Sequence, residues 1–213
     1  MTALAELVAG GSIEPWIALG LPRGEDGSIT IGQVRLRFEA DRPGGLHSLG
    51  VAGGPEPLPP MVDGVALHEA SPPSPALAGS LGAIGIDHVV VSSPDLARTT
   101  AALSGALAIE PRRTRTEPTG SGERLHQVFF RLGPVILEVV GPSAAAPAPA
   151  TADAPARLWG LVLVVADLGA AAELLGPDRL GPAKAAVQPG QFIATVRSTA
   201  GLGLPVALLT PRL

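Results

Sequence analysis

Two charged or titratable residues interrupt apolar runs in a way that could support chemistry. His88 stands inside GIDHVVVSS (85–93), and Glu138 stands inside VILEVVGP (135–142). An imidazole and a carboxylate on apolar strands are costly to bury unless each is paired, hydrogen-bonded or metal-bound. Imidazole nitrogen with carboxylate oxygen suits a borderline or hard divalent ion such as Zn, Fe, Mn, Ni or Co. A hydrogen-bonded His88–Glu138 pair with no metal and no cofactor is the other reading of the same residues.

The surrounding sequence places further groups. If Gly133-Pro134 is a hairpin turn, Phe129 lies opposite Glu138, and Gln127 and Arg131 fall on the same face. Arg131 could then neutralise Glu138 or hold an anionic substrate. A third metal ligand could come from His126 or Gln127, which alternate in facing so that one of them can approach Glu138, or from His47 if the N-terminal block folds back. Arg112, Arg113 and Arg115 form a basic cluster that reads either as a carboxylate or phosphate site or as a solvated edge. Trp16 and Trp159 are core or interface anchors, and Trp159 could line a cavity. EPTGSGER (117–124) and GLGLP (201–205) are turns rather than phosphate loops, and no G-x-S-x-G elbow is present.

The elements that must position these groups follow from periodicity. GIDHVVVSSPDL starts as a strand, and Asp95 or Ser93 can cap a helix over DLARTTAALSGALA, with Gly105 fraying its end. IEPRRTRTEP (109–118) reads as an edge strand, followed by strands at 124–132 and 134–142. The order β-α-β-β-β then repeats: LWGLVLVVADL, the helix AAAELLG, GPAKAAVQPG, FIATVRS and LPVALLTP. Aligning Asp95-Leu96 with Asp167-Leu168 puts Gly160 over His88 and Ala207, or its neighbour Leu208, over Glu138. In residues 1–70, LAELVAGG reads as a short helix, PWIALGLP as a strand and SITIGQVRLRFEA as a hairpin about Gly32. GGLHSLGVAGG looks like a first strand arriving last, and Arg37 stands where Glu138 does. The divisions are 1–70, a linker at 71–85, a module at 86–142, an Ala/Pro linker at 143–156 and a module at 157–213.

This order and spacing resemble the vicinal oxygen chelate superfamily of glyoxalases, bleomycin-resistance proteins and extradiol dioxygenases. GIDHVVVSSPDLARTTAAL is similar to that family's first strand and helix, and VFFRLGPVILEVVGP to its third and fourth strands. The resemblance implies an α+β fold of paired βαβββ modules forming curled mixed sheets, with an N-terminal partial or permuted module. It implies metal ligands at His88 and Glu138, with Glu138 catalytic, while the register and residue types make Gln127, Arg131 and Trp159 the substrate-binding candidates. The chemistry implied is metal-assisted lyase, isomerase or dioxygenase activity on a small organic molecule. The alternative within the family is a metal-free binding or sequestering protein. Gly160 and Ala207 supply no ligand at the second pair of positions.

Composition narrows the rest. Of 213 residues, 3% are aromatic, none is Cys, and the net charge is −4. Disulfides, thiolate metal sites and Cys nucleophiles are excluded, and a nucleic-acid partner is not expected. The longest apolar uncharged run, 158–166, is too short to cross a bilayer, and the N-terminus lacks a basic region. The expectation is a cytoplasmic protein with a small-molecule ligand and no membrane partner, with a homodimer left open.

Overall fold

The computed structural model describes residues 1–118, 124–142 and 153–212. In the N-terminal part the elements are β1 (Ala3–Gly10), α1 (Glu14–Ala18), β2 (Ile29–Ile31), β3 (Val34–Glu39), β4 (Gly45–Ala52), β5 (Met61–Val62) and β6 (Val65–Glu69). They form one six-stranded sheet in the order β2-β3-β1-β4-β6-β5. LAELVAGG is therefore a strand, not the expected helix. It lies between β3 and β4, and a central strand buried on both faces reads as a continuous apolar run without alternation. PWIALGLP is correspondingly not a strand: its first residues form α1. Pro15 suits a first helical turn, and Trp16 turns inward to 1% exposure against Phe38, with ring centroids 5.8 Å apart.

The C-terminal part contains β7 (Ala83–Ser92), α2 (Leu96–Leu107), β8 (Arg113–Pro118), β9 (Arg124–Leu132), β10 (Val135–Pro142), β11 (Arg157–Val165), α3 (Leu168–Leu175), β12 (Lys184–Ala185), β13 (Phe192–Thr195) and β14 (Val206–Leu209). These strands form an eight-stranded sheet in the order β12-β13-β14-β11-β7-β10-β9-β8. Each half has its first strand parallel to its last, and the two first strands pair antiparallel at the centre. Asp95 and Asp167 cap the two helices by accepting from Arg98 N and Ala170 N, each at 3.0 Å. Gly105 does not end α2: Leu103 and Leu107 are fully buried and carry the helix to Leu107.

The same pairing logic explains residues 1–70. β1 is parallel to β3, β4 is parallel to β6, and β1 pairs antiparallel with β4. This sheet is thus two shortened modules in ordinary chain order. The first lacks a strand, and the second lacks its helix and a strand. Of the expected partial or permuted module, the partial form is present and the permuted one is not, since β4 opens a second shortened module instead of completing the first. A single apolar cluster joins both sheets, from Leu7, Leu36 and Leu49 to Val89, Leu137, Leu163 and Leu208.

A polar knot also ties the halves. Asp63 and Gly64, both with positive φ, make the tight β5–β6 turn. The Asp63 carboxylate accepts from Arg98 Nε at 2.9 Å and from the Thr99 hydroxyl on α2, while its carbonyl accepts from Ala156 N. Residues 71–79 carry no helix or strand. Of the Ala/Pro stretch 143–156, residues 143–152 lie outside the described residues, as do 119–123 between β8 and β9.

Candidate functional site

A bulge in β7 sets the site. Val162 of β11 faces His88 and Leu163 faces Ile86, so Asp87 is an extra residue on β7. A bulge re-aims side chains. Here it turns Asp87 and His88 to one side, and Asp87 Oδ2 lies 2.8 Å from His88 Nδ1. That side is the face opposite the Val89 and Val91 core contacts. On β10, Glu138 alternates with the buried Leu137 and Val139, so it shares the His88 face. Glu138 Oε2 lies 3.3 Å from His88 Nε2.

The β9–β10 hairpin adds Gln127. Phe129 pairs with Glu138 and Gln127 with Val140, as the Gly133-Pro134 turn requires. Gln127 Nε2 donates to Glu138 Oε1 at 2.6 Å, and its own Oε1 is buried with no hydrogen-bond partner among the described residues. His126 faces the other way, with its ring 3.2 Å from the Thr116 hydroxyl. Arg131 is on the Glu138 face, but its Nη1 donates to the Pro134 carbonyl at 2.9 Å, so it does not neutralise Glu138 directly.

Two groups at the site carried no sequence signal. Arg212 Nη2 lies 3.2 Å from Asp87 Oδ1, bringing the chain's C-terminal region to the start of β7. Burial alone pushes the Asp87 carboxyl up. The His88 hydrogen bond and the charges of His88, Arg212 and Arg131 outweigh burial and hold it below its ordinary value. Asp87 itself stands in the notable run GIDHVVVSS, but only the bulge tells which side it faces.

Gly160 and Ala207 sit where a second ligand pair would be, and the space is filled. A Cβ built on Gly160 would lie 2.6 Å from the Pro205 carbonyl oxygen. Val162 faces Ala207 as Val90 faces Glu138. Trp159 is the extra residue of a second bulge, in β11, and is half exposed two strands from Glu138. Both ring nitrogens of His88 already meet carboxylates, and no group of three or more His, Cys, Asp or Glu that could hold a metal occurs among the described residues. Catalytic metal sites commonly take three protein ligands, and this donor set does not fit one.

The N-terminal sheet holds a counterpart. Glu6 follows a bulge at Ala5, as His88 follows one at Asp87, and Arg37 stands in the Glu138 position. Glu6 Oε1 lies 3.2 Å from Arg37 Nε and 3.1 Å from His68 Nε2, and Arg35 Nη1 donates to Oε2 at 2.9 Å. Gly50 allows this approach, because a Cβ there would come within 2.7 Å of both Glu6 Cβ and His68 Nε2. His47 is elsewhere, its Nε2 2.8 Å from the Pro43 carbonyl.

Two clefts, of about 490 and 410 Å3, lie beside the N-terminal sheet and the Pro-rich segment after it; neither is lined by His88 or Glu138. His88 is partly exposed and the Glu138 side chain is nearly covered.

No protein-family model matches the chain, and no curated protein matches it. Among solved structures, a mutant of 4-hydroxymandelate synthase from Streptomyces coelicolor superposes over 99% of this chain and 92% of its own, at 14% identity and a TM-score of 0.62. Methylmalonyl-CoA epimerase from Mycobacterium tuberculosis covers 64% of this chain and 93% of its own, at 18% identity and a TM-score of 0.49. The synthase is a member of the vicinal oxygen chelate superfamily. The module order, the antiparallel pairing of first strands and the full-length superposition on the synthase together establish that this chain has the vicinal oxygen chelate fold.

Proposed function

We propose that the Glu138-bearing face of the eight-stranded sheet binds a small organic molecule around Glu138, without a metal. The observation that carries this reading is Gln127 Oε1, a buried acceptor left without a partner beside a carboxylate. An unsatisfied buried acceptor costs about 1–3 kcal/mol. Gln127 Oε1 is buried, so a ligand hydroxyl or amine meets it only as the Gln127 side chain turns outward, and would then remove that cost and share its hydrogen bonds with Glu138. His88 supports the arrangement. Held by Asp87 on one side, it fixes Glu138 from the other, so the carboxylate is oriented before the ligand arrives. Val90 and Phe129, across the strands, and Ile136, two residues earlier on β10, flank Glu138 and supply the apolar surface for the ligand's body.

The test is amide chemical-shift mapping with a library of small hydroxyl- and amine-bearing compounds. Binders should shift His88, Gln127, Phe129 and Glu138 together. Glu138→Gln should weaken them about 10- to 100-fold, the equivalent of about 1.5–3 kcal/mol for a hydrogen bond to a charged group. Shifts confined to the clefts at the N-terminal sheet would contradict the reading.

A further inference from the structure

Resting on that reading, we infer that Arg212 is a positioning residue for the binding face: it anchors Asp87, and through Asp87 and His88 it sets the orientation of the Glu138 carboxylate. The contacts run without a gap. Arg212 Nη2 lies 3.2 Å from Asp87 Oδ1, and Asp87 Oδ2 lies 2.8 Å from His88 Nδ1. His88 Nε2 lies 3.3 Å from Glu138 Oε2, and Gln127 Nε2 donates to Glu138 Oε1 at 2.6 Å. Asp87, His88 and Glu138 are therefore each held at two different atoms. That matters because the last torsion of an Asp, His or Glu side chain is broad and is not fixed by rotamer preference. A group held at one atom can still turn; held at two, its plane is set. Arg212 supplies the second contact of Asp87, so without it the outermost carboxylate regains its rotation and the imidazole loses a fixed support.

The strands explain why Arg212 arrives there. β14 is parallel to β11 with Leu209 opposite Val164, and Val164 is opposite Gly85 near the start of β7. The residues just beyond Leu209 thus emerge beside the start of β7. Thr210 fixes their direction. Its N–H donates to the Phe192 carbonyl at 3.0 Å, and its hydroxyl accepts from Phe192 N at 3.0 Å. Its carbonyl accepts from Nε2 of the buried Gln191 at 2.6 Å. Pro211 then restricts the backbone before Arg212. An exposed ion pair alone contributes little, and the Arg212 side chain is 53% exposed. The Asp87 side chain, however, is only 14% exposed and has both oxygens engaged. Arg131 acts on Asp87 through its charge, its Nη1 being bonded to the Pro134 carbonyl; Arg212 is the arginine in contact with Asp87 among the described residues.

The test uses the ligand-free full chain and reads the His88 ring nitrogens and the Gln127 side-chain amide by NMR in Arg212→Gln and Arg212→Lys. Arg212 is exposed, so its replacement is expected to leave folding intact, which the backbone amide spectrum checks. Arg212→Gln is expected to shift the His88 ring signals and also the Gln127 amide, at the far end of the chain of contacts. Arg212→Lys keeps the charge and is expected to restore both. In titrations with the same hydroxyl- and amine-bearing library, Arg212→Gln is expected to weaken the binders of this face about 2- to 30-fold. Unchanged His88 and Gln127 signals, unchanged binding, or a lysine no better than glutamine would overturn the positioning role. If the ligand-free signals respond while no compound binds, the anchoring of Glu138 by Arg212 stands and the binding reading falls.

Discussion

Glu6 and His88 occupy matching places in two sheets, and the chemistry around them is reversed. At one, a carboxylate is ringed by Arg35, Arg37 and His68; at the other, an imidazole is held by two carboxylates. The N-terminal position is closed by its own ion pairs, whereas the C-terminal one keeps an unsatisfied acceptor. Burial pushes the Glu6 carboxyl up, but hydrogen bonds from Arg35, Arg37 and His68 outweigh it and hold it below its ordinary value of 4.5. A carboxyl depressed by folding adds stability at higher pH and loses it as pH falls through the folded value. Glu6→Gln should therefore be less stable than the wild type near neutral pH by about 1–3 kcal/mol. In urea titrations that difference should shrink as pH falls from about 5 towards about 3. A constant difference over that range would contradict the assignment. At this scale His88 and Glu138 were legible because each breaks an apolar run. Asp87 and Arg212 were not, since a bulge decides the facing of one and tertiary packing brings in the other.

At the scale of elements, the helix caps were legible. Pro-Asp-Leu and Ala-Asp-Leu mark equivalent starts because an Asp before an apolar periodic run has one favourable use. β1 and α1 were exchanged in the reading, because Ala, Leu, Glu and Val in eight residues fit either period and only the neighbours β3 and β4 settle the matter. The strands also decide what can be rebuilt. Gly160→His would place an imidazole at the second-ligand position, but its Cβ meets the Pro205 carbonyl, which itself accepts from Leu161 N at 3.1 Å. The expected result is a loss of about 1–3 kcal/mol from overpacking, with no gain in Zn or Mn affinity by calorimetry. A stable variant that binds either ion tightly would show that Pro205 yields.

For the whole molecule, four modules share one core, two of them complete and two shortened. The complete pair was legible as an internal repeat. The shortened pair was not, because losing a helix and two strands removes the order by which a repeat is recognised. The scarcity of aromatic residues bears on function at this scale: Phe129 is the aromatic ring whose pairing places it next to Glu138, so a ligand there is held chiefly by polar ends and aliphatic contact. The central claim is that this face binds without a metal. The most direct measurement is the isotherm of a hydroxyl- or amine-bearing binder of this face on the same protein preparation in excess EDTA and again in excess Mn or Zn. The account predicts that the curves overlay. Binding that disappears in EDTA and returns with the metal would contradict it.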